Sequence, residues 1–121
     1  MSDRAIRFAE SVRMELAALL PSVKDPRVSD AGLLTVTHVR VSDDLSVARV
    51  QVAVHGADDE QQRAVLKGLG SAAGWLKREI GRRLRAKKVP ELRFHLDDTD
   101  DKAGRVEQLL REIAAEKTEK P

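Results

Sequence analysis

The residues with the clearest chemical potential are cations gathered between positions 75 and 93. This segment contains eight Lys and Arg residues and two Glu residues, a local charge of +6, whereas the rest of the 121-residue chain sums to −4. Charge concentrated in one segment attracts a polyanion to one part of the surface instead of making the whole protein adhesive. Nucleic acid is therefore the first class of ligand that the sequence indicates.

Helical periodicity places the cations of this segment on one exposed face. At 100° per residue they lie opposite an apolar stripe or on its flank, and few acids compensate them, which favours a binding role over simple solvation. Arg4, Arg7 and Arg13 of the first predicted helix extend this face if the two helices are neighbours. The cations opposite the stripe are Arg78, Arg82 and Arg85, and those on its flank are Lys77 and Lys88.

Aromatic residues are scarce, which restricts how RNA or DNA can be bound. The chain has Phe8, Trp75 and Phe94 and no tyrosine. Modules that read single strands by stacking need aromatic platforms, so contacts to phosphates and to RNA shape are expected instead. Trp75 falls beside the cations on the helical wheel, where we predict a partly buried packing role, with stacking on a base or sugar as the alternative.

The inventory for catalysis is poor. The three histidines are scattered, and the sequence contains no nucleophile elbow, P-loop or metal-ligand spacing. The acids of DDTDD (residues 97–101) include enough carboxylates for a hard cation, but capping of a following helix explains them more simply. With no cysteine, disulfides and thiolate metal sites are excluded. We predict a protein that is not an enzyme and that has no metal, cofactor or small-molecule substrate.

Three glycines interrupt the helical pattern just before the cations. Gly68, Gly70 and Gly74 each cost a helix about 1 kcal/mol relative to alanine. The pattern predicts one long helix with a kink or two helices in series, and a break near residues 71–74 would begin a new helix whose free amides receive a phosphate. Alternatively, the glycines allow the helix to pass close to another element.

The elements that position these groups alternate between helix and strand. Residues 4–20 form an amphipathic helix, KDPR (24–27) forms a loop, and the β-rich runs 34–41 and 48–54 form a hairpin across SDDLS (42–46). A phase change near Thr37 predicts a β-bulge.

Asp58 and Gln61 resemble a capping box that opens the glycine-containing helix. A strand over residues 90–96 and a short helix over 106–113 follow. We expect one domain over residues 1–115 and a flexible tail over 116–121. Neither a leader sequence nor a long apolar run is visible, so the expected location is the cytoplasm, without membrane association.

Several short sequence motifs, taken in order, resemble those of the bacterial ribosome-binding factor A family. No single motif is diagnostic, but their order and spacing are specific, and together they cover nearly the whole chain. They are RAIRF (4–8), KDPR (24–27), VSDDLS (41–46), AAG (72–74), VPELRF (89–94) and the run 97–113.

The resemblance implies an α+β, type II KH-like domain with α-β-β-α-kink-α-β topology, a three-stranded mixed sheet, a short C-terminal helix and an Ala-x-Gly interhelical kink at Ala72, Ala73 and Gly74. It also implies a protein that binds the small (30S) ribosomal subunit and its 16S rRNA, promotes late maturation including 5′-end processing, and supports growth in the cold. A monomer is the default expectation, because nothing in the sequence demands more than one copy. The expected RNA-facing cations are Arg78, Arg82, Arg85, Lys87 and Lys88, with Lys77, Arg4 and Arg7 beside them. The alternatives are a protein-interaction module and a general KH-like RNA-binding protein without ribosome specificity.

Overall fold

A computed structural model describes residues 2–97 of the chain. The predicted helix over 106–113, the acids after Asp97 and the tail 116–121 lie outside the described residues, so the domain boundary at 115 stays a prediction. The elements are α1 (Asp3–Leu19), a 3-10 turn (Leu20–Ser22), α2 (Pro26–Ser29), β1 (Leu33–Val41), β2 (Val47–His55), α3 (Asp59–Leu84) and β3 (Glu91–Leu96).

The three strands form one mixed sheet with β2 in the middle. β1 pairs with β2 in antiparallel register and β3 pairs with β2 in parallel register. The register shifts between Val36 and His38, which confirms the predicted bulge. Alternate residues of β2 are buried, because the helices cover one face of the sheet and leave the other open. The fold is therefore the α+β architecture that the resemblance implied.

Local chemistry sets the start of each helix. The hydroxyl oxygen of Ser2 caps α1 by accepting a hydrogen bond of 3.2 Å from the amide of Ala5. The predicted loop at KDPR is in part the helix α2. This helix begins there because Oδ1 of Asp25 accepts a hydrogen bond of 3.0 Å from the amide of Arg27, and because Pro26 occupies the first helical position. The capping box at the start of α3 is confirmed by its two reciprocal hydrogen bonds of 2.8 and 2.9 Å.

The long helix α3 differs from the prediction at its glycines. It runs for 26 residues and stays helical through Ala72, Ala73 and Gly74. The prediction that a second helix begins there, with free amides for a phosphate, is wrong, because these amides lie in the helix interior. The alternative was one long helix with a kink: the structure contains one long helix, and the kink at Ala72, Ala73 and Gly74 stays a prediction.

The glycines of α3 have different neighbours. A Cβ atom added at Gly68 would lie 2.8 Å from Cγ2 of Val28, so this glycine permits the close approach of α2. One added at Gly70 would meet nothing within 4 Å. Close packing therefore explains Gly68 but not Gly70.

None of the described helices is long and apolar enough to cross a membrane.

Candidate nucleic-acid interface

The second half of α3 presents the predicted cations to solvent. Leu76 and Ile80 are fully buried against the sheet and fix the rotation of the helix about its axis. Positions on the opposite side of the helix then point outward. Lys77, Arg78 and Arg82 are accordingly exposed, as the helical wheel predicted.

Only part of this positive charge is compensated. Nη1 of Arg82 lies 3.1 Å from Oε1 of Glu79, but 78% of the Arg82 side chain stays exposed. Nη1 of Arg83 lies 3.2 Å from Oε2 of Glu15 on α1. Within residues 2–97, no carboxylate lies within ion-pair distance of Lys77, Arg78 or Arg85. We call Lys77, Arg78, Arg82 and Arg85 the α3 basic face. The positive charge of this face produces a local electrostatic potential that attracts a polyanion.

Arg85 occupies a backbone conformation that normally selects glycine. Its φ and ψ angles of 51° and 38° are left-handed, its amide donates to the carbonyl of Arg82, and the amide of Ala86 donates to the carbonyl of Gly81. This is a Schellman motif with arginine at the position that glycine usually occupies. A side chain in this conformation costs about 1 kcal/mol or more.

The loop after α3 is held by the hairpin turn, residues 42–46. Lys88 Nζ donates to the carbonyl oxygen of Asp44 at 2.8 Å, and the amide of Glu91 donates to that of Ser46 at 2.9 Å. Lys88 therefore serves partly as a structural anchor, a role that its position in the sequence did not reveal. The neighbouring Lys87 is exposed.

A hydrogen-bonded carboxylate makes this turn rigid. Oδ1 of Asp44 accepts hydrogen bonds from the hydroxyl groups of Ser42 and Ser46, both at 2.7 Å, and from the amide of Ser46 at 3.0 Å. These bonds, assisted by the charge of Lys88, lower the pKa of Asp44 to about 2. Leu45 turns the chain through a left-handed conformation and buries its side chain.

The first helix meets the same turn. The amide of Ser2 donates to Oδ1 of Asp43 at 2.7 Å, so the start of α1 lies near the loop that contains Lys88. Arg4 and Arg7 are exposed on α1, and α1 contacts α3, as an extension of the basic face requires. Arg13 differs because it is bound to Glu10 on its own helix.

A groove of about 370 Å³ runs between α3 and β3. Gly70 and Gly74 line it, which leaves the helix backbone open where side chains would otherwise fill the space. Lys77 and Arg93 stand on its walls. The absence of side chains at Gly70 and Gly74 therefore leaves this groove open.

Trp75 is partly buried and packs against the hydrophobic core, in agreement with the packing role predicted for it. It also lines a separate depression beside residues 22–25.

Within residues 2–97, no group of three or more His, Asp or Glu side chains is arranged to hold a metal ion. Most of the acids considered for a cation lie outside the described residues.

Comparisons with known proteins agree with this architecture. The crystal structure of ribosome-binding factor A from Thermus thermophilus is 30% identical, with a TM-score of 0.64 over 76% of this chain and 94% of that one. A homology model of the Thermus thermophilus factor, as fitted into a cryo-EM map of its 30S complex, is 30% identical, with a TM-score of 0.60 over 74% of this chain and 90% of that one. A solution structure from Thermotoga maritima, a protein described there as a putative ribosome-binding factor A, is 26% identical, with a TM-score of 0.67 over 78% and 88%. Residues 4–110 match the sequence pattern of ribosome-binding factor A, and the chain therefore belongs to the ribosome-binding factor A family.

Proposed function

We propose that this protein is a non-enzymatic assembly factor that binds the small ribosomal subunit through its 16S rRNA. The observation that carries the proposal is the α3 basic face, where Lys77, Arg78 and Arg85 have no ion-pair partner within residues 2–97. A relative that shares the fold has been fitted into a map of a 30S complex, which supports the choice of partner.

Binding through phosphates explains how such a protein acts without a nucleotide or a catalytic group. The guanidinium groups of Arg78 and Arg85 form charge-assisted hydrogen bonds with phosphate oxygens, and α3 holds them at fixed spacing. A folded RNA that presents phosphates at this spacing is bound more tightly than its alternatives. The protein then shifts the rRNA toward that conformation by differential affinity alone.

Family membership supports the finer parts of the proposal. We propose that one copy acts in the cytoplasm, late in subunit maturation, that it promotes processing of the 5′ end of 16S rRNA, and that it supports growth in the cold. The rival is a protein-interaction module whose cations serve solubility. A general RNA-binding protein without ribosome specificity is a second rival.

Co-sedimentation with separated 30S subunits, 50S subunits and 70S ribosomes at low and moderate salt distinguishes these three hypotheses. Selective pelleting with free 30S subunits, weakening by roughly 0.7 to 0.9 log units per log unit of salt for each phosphate neutralised, is the expected result. Equal binding to all three particles would indicate a general polyanion binder. Absence of binding at both salts would favour the protein-interaction module.

The processing role needs a cellular readout. A bacterial strain that lacks its own family member and depends on this chain should accumulate 16S rRNA with an unprocessed 5′ end when the chain is depleted in the cold. Primer extension at the 5′ end measures this directly. Normal 5′ ends after depletion, with 30S binding intact, would remove processing from the proposal and leave subunit binding in place.

A further inference from the structure

The open face of the sheet carries a row of arginines that the α3 basic face does not include. Arg40 of β1 lies opposite Arg49 of β2, and Arg49 lies opposite Arg93 of β3. All three are exposed, while the next residues along the strands, such as Ala48 and Leu92, are buried. We call Arg40, Arg49 and Arg93 the arginine row.

A second row of polar groups runs beside the first. His38 lies opposite Gln51, and Gln51 lies opposite His95. Residues two apart on a strand share a face, so this row and the arginine row form one surface three strands wide. Neighbouring strands are about 4.8 Å apart, so each row spans about 10 Å.

The bulge in β1 is what brings Arg40 into the row. Val36 pairs with Val52, and Thr37 is the extra residue, after which His38 pairs with Gln51. If Thr37 instead paired with Gln51 in a regular ladder, the remainder of β1 would exchange faces, and Arg40 would lie opposite Ala48 and point into the core. Bulges that aim a side chain in this way are common beside functional sites.

Little in the described structure neutralises the arginine row. Within residues 2–97, the only carboxylate within ion-pair distance of it is Glu91, which is 3.5 Å from Arg93, and both side chains are more than half exposed. Such surface pairs are weak. Like charges placed directly opposite one another destabilise a sheet, so the row does not serve the fold.

The shape of this surface suits an extended anionic ligand. Arg40 and Arg49 form a ridge between two shallow depressions of about 550 and 430 Å³. His38, Gln51 and His95 line the larger one. Arg93 and Asp43 line the smaller one, where Oδ1 of Asp43 accepts a hydrogen bond from the amide of Ser2. Arg93 also lines the groove that contains Lys77 and Glu91, so the arginine row and the α3 basic face meet at the edge of β3.

We infer that the open sheet face is a second RNA-binding surface, which contacts the sugar-phosphate backbone of a segment that continues past the edge of β3. This inference rests on the proposed function. Guanidinium groups form paired hydrogen bonds with phosphates, and Gln and His side chains are suited to 2′-hydroxyl groups. Protein interfaces are anchored by buried apolar or aromatic groups, and the exposed large hydrophobic residues of the described chain, Ile6, Met14 and Leu33, lie outside both rows.

The test removes the two ridge arginines and leaves α3 intact. The Arg40→Gln, Arg49→Gln variant should bind 30S subunits roughly tenfold more weakly at moderate salt, and its salt slope should fall by roughly 1.4 to 1.8. The Arg63→Gln, Lys67→Gln variant loses the same charge from the exposed first half of α3 and should bind like the wild type. The Arg40→Lys, Arg49→Lys variant should recover the salt slope.

Hydroxyl-radical footprinting of the 16S rRNA identifies what the sheet face contacts. The Arg40→Gln, Arg49→Gln variant should lose protections at positions that a variant of the α3 basic face still protects. Wild-type affinity and protections for the sheet variant, with binding lost only in the α3 variant, would overturn the inference and leave the proposed function standing. Weaker 30S binding with every rRNA protection intact would also overturn it, because an acidic protein would then be the ligand. Failure of the wild type to bind 30S subunits would reject both.

Discussion

Lys88 Nζ and the carbonyl oxygen of Asp44 are 2.8 Å apart and join two segments separated by 44 residues in the sequence. A second link, from the amide of Glu91 to the carbonyl of Ser46, fixes the start of β3 to the same turn. The loop that follows the α3 basic face is therefore positioned by the hairpin between β1 and β2. Changes in the hairpin turn should therefore alter the position of the α3 basic face.

Substitution of Asp44 tests this connection. Asp44→Ala removes the acceptor for two hydroxyl groups and one amide of the turn, so the thermal midpoint should fall and 30S affinity should fall with it. Thermal denaturation and co-sedimentation measure the two effects. Asp30→Ala is the control, because Asp30 is exposed and its side chain makes no hydrogen bond to another residue of the described chain. Unchanged 30S binding in a destabilised Asp44→Ala protein would break the proposed connection.

The pKa of Asp44 predicts an acid-dependent part of stability. Because hydrogen bonds lower this pKa from 3.8 to about 2, the stabilisation is complete above the ordinary value and is lost as the pH falls through the lower one. The difference in unfolding free energy between wild type and Asp44→Ala should be constant from pH 7 to about pH 5 and shrink between about pH 4 and pH 2. Urea titrations at several pH values measure it. A difference that persists undiminished at pH 2 would contradict the assigned pKa.

Two glycines two residues apart should respond in opposite ways to alanine. Gly68→Ala places a methyl group against Val28 and should destabilise the protein by about 1 to 3 kcal/mol. Gly70→Ala meets no neighbour and should stabilise α3 by up to about 1 kcal/mol. Chemical denaturation of the matched pair measures both. Destabilisation by Gly70→Ala would contradict the open space beside Gly70 on which the prediction rests.

Arg85 should separate stability from binding. Arg85→Gly relieves the left-handed conformation, so stability should stay level or rise by up to about 1 kcal/mol, while the salt slope of 30S binding falls by about 0.7 to 0.9. Arg85→Lys keeps both the charge and the strain and should bind nearly as the wild type does. Normal binding by Arg85→Gly would leave the arginine without a ligand.

Much of the fold is predictable because local patterns determine it. The capping box, the alternation along β2 and the bulge near Thr37 each depend on residues a few positions apart, and each is present in the structure. The short helix α2 was missed because Asp25 and Pro26 form both turns and helix starts. Sequence patterns do not decide between one helix and two over residues 59–84, because helix propensity alone does not say which glycines lie beside a neighbour.

The candidate sites were harder to predict because they depend on pairing between distant segments. The alternation in β2 and β3 indicates that Arg49 and Arg93 face outward, but only the parallel register places them opposite each other. The anchoring of Lys88 by a backbone carbonyl has no sequence pattern at all. The exposure of Arg78 and Arg82 followed directly from helical periodicity, as predicted.

The central claim is that the α3 basic face binds the 30S subunit, and the affinity of one triple variant tests it most directly. Arg78→Gln, Arg82→Gln, Arg85→Gln is to be compared with a control that loses the same charge at Lys24, Arg63 and Lys67. Arg63 lies about 22 Å along the helix from Arg78. The account predicts that the first variant, still folded by circular dichroism, binds 30S subunits roughly 10- to 100-fold more weakly at moderate salt, while the control binds normally. Equal affinity of the two variants, or normal binding by the first, would contradict it.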